Sequence, residues 1–223
     1  MTQGAVGLIV VAAGSARRMG GTDKVWAALG AHPVLWHSVN RFAALVAEIV
    51  LVVREDQVSV TSKYFHGIAH LRVTTGGTER NDSVARGLAC LNGVDAVAVH
   101  DAARPLAPAR LLADGAGLLN RFSGAIPVIP VSDTLKEVDQ HGRVIATLDR
   151  GPLRAAQTPQ LFRADVLRHA HEMARRSGAS VTDDAQLVEA CDGEVVTYPG
   201  SPRNIKITTE HDLELARLLL AAG

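Results

Sequence analysis

The stretch Val6-Gly-Leu-Ile-Val-Val-Ala-Ala-Gly14 decides the fold. Its first six residues are apolar or small with no polar alternation, the pattern of a strand buried on both faces of a parallel sheet. Ala12, Ala13 and Gly14 then form a small-residue turn against which a ligand can approach the backbone closely. Further apolar runs at Ile49–Val53, Ala96–Val99 and Ala125–Val131 end in loop or polar signals. They alternate with helix-like stretches at Val34–Leu45, Asp82–Leu91 and Ala109–Leu119. Strand and helix in alternation predict an α/β fold, a Rossmann-like, mostly parallel sheet flanked by helices with right-handed crossovers.

The alternation breaks at residues 132–149. Thr134-Leu-Lys-Glu-Val138 and Arg143-Val-Ile-Ala-Thr-Leu148 flank Asp139-Gln-His-Gly142, a hairpin signature that predicts a projecting β-arm. Helices are expected at Ala164–Ser177 and Asp183–Ala190, and strands at Val195–Tyr198 and Asn204–Ile207. A last helix opens at Thr209 with Asp212 three residues on, a capping-box pattern, and is expected to cover the sheet. No linker divides the 223 residues, so one domain spanning 1–223 is expected, with 132–150 as its excursion.

The 23 Lys and Arg balance 23 Asp and Glu, which disfavours broad binding to nucleic acid or an anionic membrane. Any anion site must be local. No Lys or Arg precedes the first apolar run and no run approaches the ~18 residues of a membrane span, so a cytoplasmic protein is expected. Cys90 and Cys191 lack C-x-x-C spacing and read as free, buried thiols of a reducing compartment. His169 and His171 fall on different helix faces, which argues against zinc.

The loop from Ala12 to Gly21 is not a dinucleotide fingerprint. Ala16 and Met19 hold the places where G-x-G-x-x-G needs glycine, which weakens a dehydrogenase reading, and no Gly-Lys-Ser/Thr marks a Walker loop. Arg17, Arg18 and Lys24 instead suit a polyphosphate, although a tight turn with solvated cations fits the same residues. A second cluster, Thr75-Gly-Gly-Thr-Glu-Arg-Asn-Asp-Ser-Val84, opens a helix, where Asp82 or Ser83 could equally be a cap. The third, His100-Asp-Ala-Ala-Arg-Pro105, lies at the carboxyl edge of a strand, where open α/β sheets bind ligands. Asp101 there could hold a divalent cation or a ribose hydroxyl and Arg104 a phosphate, while an Asp–Arg structural pair is equally consistent. His100 reads as a satisfied buried group.

Taken in order, AAG…RRMG…K, GG-x-ER-x-x-SV, HDAARP, DT, DR, TPQ, TDD and NIK resemble the 2-C-methyl-D-erythritol 4-phosphate cytidylyltransferases of the non-mevalonate isoprenoid pathway. The resemblance implies a GT-A-like nucleotidyltransferase fold, CTP and methylerythritol phosphate as substrates, Mg²⁺ mainly on the CTP phosphates, and a homodimer joined through the β-arm. It implies that Arg18, Lys24, Arg150 and Lys206 carry catalysis, with Arg17 a weaker candidate. Ala12, Ala13, Gly14, Gly77, Thr78, Ser83, Asp101 and Ala102 would bind the nucleotide, with Asp101 also a weak metal ligand. Arg104, Thr134, Thr158 and Thr182 would bind the acceptor, Thr134 and Arg150 reaching the partner's site. The alternatives are a ribitol-5-phosphate or other sugar-phosphate cytidylyltransferase, disfavoured by HDAARP, and a silent CTP-binding protein. The latter is suggested by Gly21-Thr-Asp-Lys24-Val-Trp26, since relatives commonly carry Pro before this lysine and Gln after it. Asp23 could pair with Lys24 and weaken it, and Trp26 is read as packing.

Overall fold

Leu8 and Val10 enter one core layer with Leu35, Phe42 and Leu112, while Ile9 enters a second with Val84, Leu88 and Leu167. Alternate side chains of a strand point to opposite faces, so a strand covered on both sides must be apolar throughout. The computed structural model in which this is seen describes residues 4–14, 23–177 and 183–222.

The chain begins with β1 (Val6–Val11), a ribbon of β2 (Ala28–Leu29) and β3 (His32–Pro33), α1 (Val34–Asn40), β4 (Glu48–Val53), α2 (Val58–Tyr64) and β5 (Leu71–Thr75). It continues with α3 (Arg80–Cys90), β6 (Ala96–Asp101), α4 (Arg110–Leu118) and β7 (Gly124–Pro130). The arm is β8 (Lys136–Val138) and β9 (Val144–Thr147), followed by β10 (Arg154–Ala156) and β11 (Gln160–Arg163). The last elements are α5 (Ala164–Ser177), α6 (Asp184–Glu189), β12 (Val195–Pro199) and α7 (Glu210–Ala221).

The main sheet runs β10-β7-β11-β6-β1-β4-β5, with β12 also on β7. β5, β4, β1 and β6 are mutually parallel, whereas β11 lies antiparallel between β6 and β7. The chain leaves β1 for β4 and β5 on one side and returns to β6 on the other, so the strand order reverses beside β1. Open sheets leave a crevice at such a point, outside the carboxyl ends of the strands.

Several elements depart from the sequence reading. The helix expected over Val34–Leu45 stops at Asn40, and a separate 3-10 turn covers Ala43–Leu45. The helix expected from Asp82 begins at Arg80. Asn204–Ile207 is not a strand, since the chain there is tied by isolated bonds such as Ile207 N–H to Ala103 O at 2.8 Å. α7 keeps its capping box but packs Leu213 and Ala216 against Leu29, Leu106 and Ile207, on the β2–β3 ribbon side rather than across the sheet. Cys90 and Cys191 are free but only half-buried. The arm forms as expected: Asp139 accepts from the N–H groups of His141 and Arg143, both at 2.9 Å, and Gly142 takes φ 79°, which glycine tolerates best.

Candidate active site

A cavity of about 370 Å³ opens at the carboxyl ends of β1 and β6. Its β1 side is Ala12, Ala13 and Gly14, where a Cβ added to Gly14 would meet nothing within 4 Å among the described residues. Ala12 N–H to Val52 O and Gly76 N–H to Val53 O, both 2.7 Å, tie the loops after β1 and β5 to the end of β4. At Gly76 a Cβ would overlap that of Ala13 and stand 2.8 Å from Ser83 Oγ, so the two loops meet only because this residue has no side chain.

Gly77, Thr78 and Ser83 line the opposite wall. Ser83 Oγ accepts from Gly77 N–H and donates to Glu79 O, each at 3.1 Å, so its hydroxyl shapes the loop. Neither Ser83 nor Asp82 is the N-cap of α3. Glu79 is, with Asp82 its capping-box partner, and Asp82 also accepts from Thr78 Oγ1 at 2.8 Å.

Asp101 ends β6 and is buried. Lys206 Nζ lies 2.7 Å from its Oδ2, Arg80 Nε 3.5 Å from its Oδ1, and Arg104 Nε 3.9 Å from Oδ2. Burial alone would raise this carboxyl, but Lys206, Arg80 and Arg104 outweigh it and hold the group well below the usual carboxylate range. Lys206 arrives there because Ile205 and Ile207 on either side pack against the α7 cluster. Lys24 and Arg80 line the same cavity, so among the described residues three cations and two carboxylates, Asp101 and Glu79, face one space, and the Glu79 side chain is held in the capping box of α3.

Arg80, which received no role from sequence, also binds the fully buried Asp184, with Nη1 to Oδ2 at 2.6 Å. Asp184 in turn accepts from His171 Nε2 at 3.1 Å. Burial would raise Asp184, and the His171 bond and the Arg80 charge more than reverse it. The signals were present as Arg80 in GG-x-ER and Asp184 in TDD, but their separation along the chain hides the pairing.

Several expected site residues stand outside the cavity wall. Ala102 is buried, its N–H bonded to Val11 O and its carbonyl accepting from Ser38 Oγ, and Ala103 lines the space instead. Arg104 donates to Asn204 O at 2.8 Å and Ala156 O at 3.3 Å, bracing the segments that carry Lys206 and Thr158. Thr158 Oγ1 accepts from Asp101 N–H at 3.0 Å and meets His100 Nδ1 at 2.9 Å. His100 Nε2 faces Arg104 O at 3.2 Å, so Nε2 carries the proton and Thr158 donates to Nδ1. Burial pushes the His100 imidazole down to about 4, and it stays neutral. Thr134 and Arg150 are exposed on or beside the arm, where Arg150 Nη1 donates to Ser132 O. Arg17, Arg18 and Thr182 lie outside the described residues.

The family model for IspD, 2-C-methyl-D-erythritol 4-phosphate cytidylyltransferase, matches residues 6–222. The chain belongs to this family. A 2-C-methyl-D-erythritol 4-phosphate cytidylyltransferase of Frankia casuarinae is 45% identical over 97% of the chain and 81% of that protein. One from Dehalococcoides mccartyi strain 195 is 40% identical over 98% and 97%. Among solved structures, 4-diphosphocytidyl-2C-methyl-D-erythritol synthase of Anaerococcus prevotii superposes with TM-score 0.87 at 28% identity, covering 98% of this chain and 97% of that one. The Thermus thermophilus cytidylyltransferase gives 0.81 at 32%, covering 97% and 99%. The enzyme is a nucleotidyltransferase, a cytidylyltransferase of the non-mevalonate isoprenoid pathway, and the dehydrogenase reading falls away. Among the described residues no helix is long and apolar enough to cross a membrane.

Proposed function

We propose that the cavity at the ends of β1 and β6 holds CTP and that the chain transfers its CMP group to 2-C-methyl-D-erythritol 4-phosphate. The products are 4-diphosphocytidyl-2-C-methyl-D-erythritol and pyrophosphate. The observation that carries this reading is the convergence of Lys24, Arg80 and the Lys206–Asp101 pair on one cavity floored by Ala12–Gly14.

A phosphate oxygen of the acceptor attacks the α-phosphorus in line, and the bond from that phosphorus to the bridging oxygen breaks as pyrophosphate leaves with the electron pair. The nucleophile is already ionised, so little acid–base help is needed and the obstacle is bringing two anions together. Fixed cations meet it by positioning and by stabilising charge that builds on the α-phosphate. Lys24 and Lys206 take that task on this chain, and the family resemblance adds Arg18, which lies outside the described residues. Cytosine faces the backbone at Gly77 and Thr78, and Asp101 faces the ribose. The acceptor lies toward Arg104 and Thr158, which act through the loops that they brace, and the family resemblance adds Thr182, outside the described residues.

Mg²⁺ fits here as a largely phosphate-bound ion, because it needs only one or two carboxylates besides phosphate and water. Of the two carboxylates on the cavity, Glu79 is held in the capping box of α3, which leaves Asp101, whose Oδ1 is the less tightly paired oxygen. Once bound, the metal would neutralise part of the triphosphate charge. Among the described residues no cluster of three His, Cys, Asp or Glu offers it an all-protein site.

The reading includes a single domain over 1–223, a cytoplasmic setting and a homodimer in which Thr134 and Arg150 complete the partner's site. The arm supports the dimer, since Val138, Val144 and Ile145 expose 52%, 61% and 62% of their surface on one small ribbon. The test uses CTP labelled at the α-phosphorus: label should pass to a methylerythritol product, none should enter pyrophosphate, and Lys24→Ala should lower kcat about 10²–10³-fold. Label that remains in CTP in the presence of acceptor and Mg²⁺ defeats the proposal.

A further inference from the structure

The expected pairing of Asp23 with Lys24 gives way to a different arrangement. Asp23 Oδ2 accepts from Gln57 Nε2 at 2.5 Å and from Arg54 Nη1 at 2.9 Å, while Oδ1 accepts from the Val25 N–H at 3.2 Å. Gln57 Oε1 accepts from Trp26 Nε1 at 3.0 Å. An indole N–H only donates and a carboxylate only accepts, so the Gln57 amide bridges them in one orientation. Trp26 N–H donates to Asp23 O at 2.9 Å, and the carbonyl of the buried Val25 accepts from Leu35 N–H at 2.8 Å. Arg54 and Gln57 belong to the turn that directly follows β4, a buried strand paired on both sides, with β1 and β5. The backbone from which Lys24 departs is therefore pinned on one side to the turn after β4 and on the other to α1.

We infer that Asp23, Gln57 and Arg54 are positioning residues that fix Lys24 at the wall of the nucleotide cavity. Asp23 thus replaces the conformational restriction that a proline would impose before the lysine with a side-chain clamp. The inference rests on the proposed role of Lys24. The two possible roles of Asp23 predict opposite signs: a carboxylate that drains charge from Lys24 slows the enzyme, whereas a clamp speeds it.

Two near-isosteric variants read this out in steady-state kinetics with CTP, Mg²⁺ and methylerythritol phosphate. Asp23→Asn removes the charge, and Gln57→Glu sets an acceptor against the Asp23 carboxylate. Displacement of a reacting group by about 1 Å costs up to 10²-fold, so each variant should lose about 10–100-fold in kcat, with a smaller change in the KM for methylerythritol phosphate. In a Lys24→Ala background, Gln57→Glu should change the remaining rate by no more than about twofold, since the two changes act on one group. Faster or unchanged turnover in Asp23→Asn overturns the inference, as does an equal loss from Gln57→Glu in both backgrounds. Near-normal turnover in Lys24→Ala alone refutes the role of Lys24 itself, a failure distinct from that of the clamp.

Discussion

Replacing Asp184 by Asn removes one negative charge from the centre of the His171–Asp184–Arg80 chain while preserving side-chain size. The carboxylate is fully buried and accepts from Arg80 Nη1 at 2.6 Å and His171 Nε2 at 3.1 Å. An Asn offers one oxygen and one NH₂, so one of the two donors would face another donor. Breaking a buried ion pair typically costs 3–5 kcal/mol. Arg80 keeps Asp101 at 3.5 Å and is a quarter exposed, which places the expectation at the lower end, about 3 kcal/mol. For a chain of this size 1 kcal/mol shifts Tm by roughly 2–4 °C, so the variant should melt about 6–12 °C below the parent at pH 7 by scanning calorimetry. The difference should narrow in acid. The folded Asp184 carboxyl lies below its unfolded value of about 3.9, so its stabilisation is complete above that pH and is lost as pH falls through the folded value. A variant within about 2 °C of the parent at pH 7 would refute the ion-pair assignment.

Further outcomes follow from the same geometry. His100, neutral in the fold with its imidazole near 4 against 6.5 unfolded, should cost the protein about 3 kcal/mol of stability as pH drops from 6.5 to 4, because only the unfolded chain takes up that proton. Urea midpoints that stay level over this window would contradict it. Gly76→Ala should force the loops after β1 and β5 apart and raise the KM for CTP about tenfold or more; an unchanged KM would show that their close approach is dispensable. Ile145→Asp on the exposed ribbon should shift the proposed dimer toward monomer in analytical ultracentrifugation at micromolar concentration, and an unaltered dimer would free the arm of that role. In the proposed homodimer, mixing the impaired Arg150→Ala and Lys24→Ala proteins should restore part of the activity through hybrid dimers, whereas proven subunit exchange without recovery would rule out shared sites.

The buried strands were legible because a strand covered on both sides leaves a continuous apolar run, as at Val6–Val11 and Ala96–Val99. The arm was legible because Asp139 and Gly142 are turn chemistry. β10 and β11 were not, since Arg154–Ala156 and Gln160–Arg163 are too short to show a period and gain their pairing from β7 and β6. Asn204–Ile207 carries strand-like residues, yet Asn204 Nδ2 binds Thr158 O at 2.8 Å and Ile207 plugs the α7 cluster, so tertiary anchors hold the segment without a ladder. In the site, the three motifs fall at the ends of β1, β5 and β6. They could not reveal which polar groups are already engaged: the Thr158 hydroxyl by Asp101 and His100, the Asp23 carboxylate by Gln57 and Arg54. Nor could they show that Arg80 joins Asp101 to Asp184, 104 positions along the chain from Arg80.

The most direct measurement is pyrophosphate release by the purified protein with CTP and Mg²⁺, comparing methylerythritol 4-phosphate with ribitol 5-phosphate and using UTP and ATP as nucleotide controls. Release with CTP and methylerythritol 4-phosphate alone is the expected result. Release driven by ribitol 5-phosphate would contradict the acceptor assignment, and silence with both acceptors would contradict the transferase reading of the cavity.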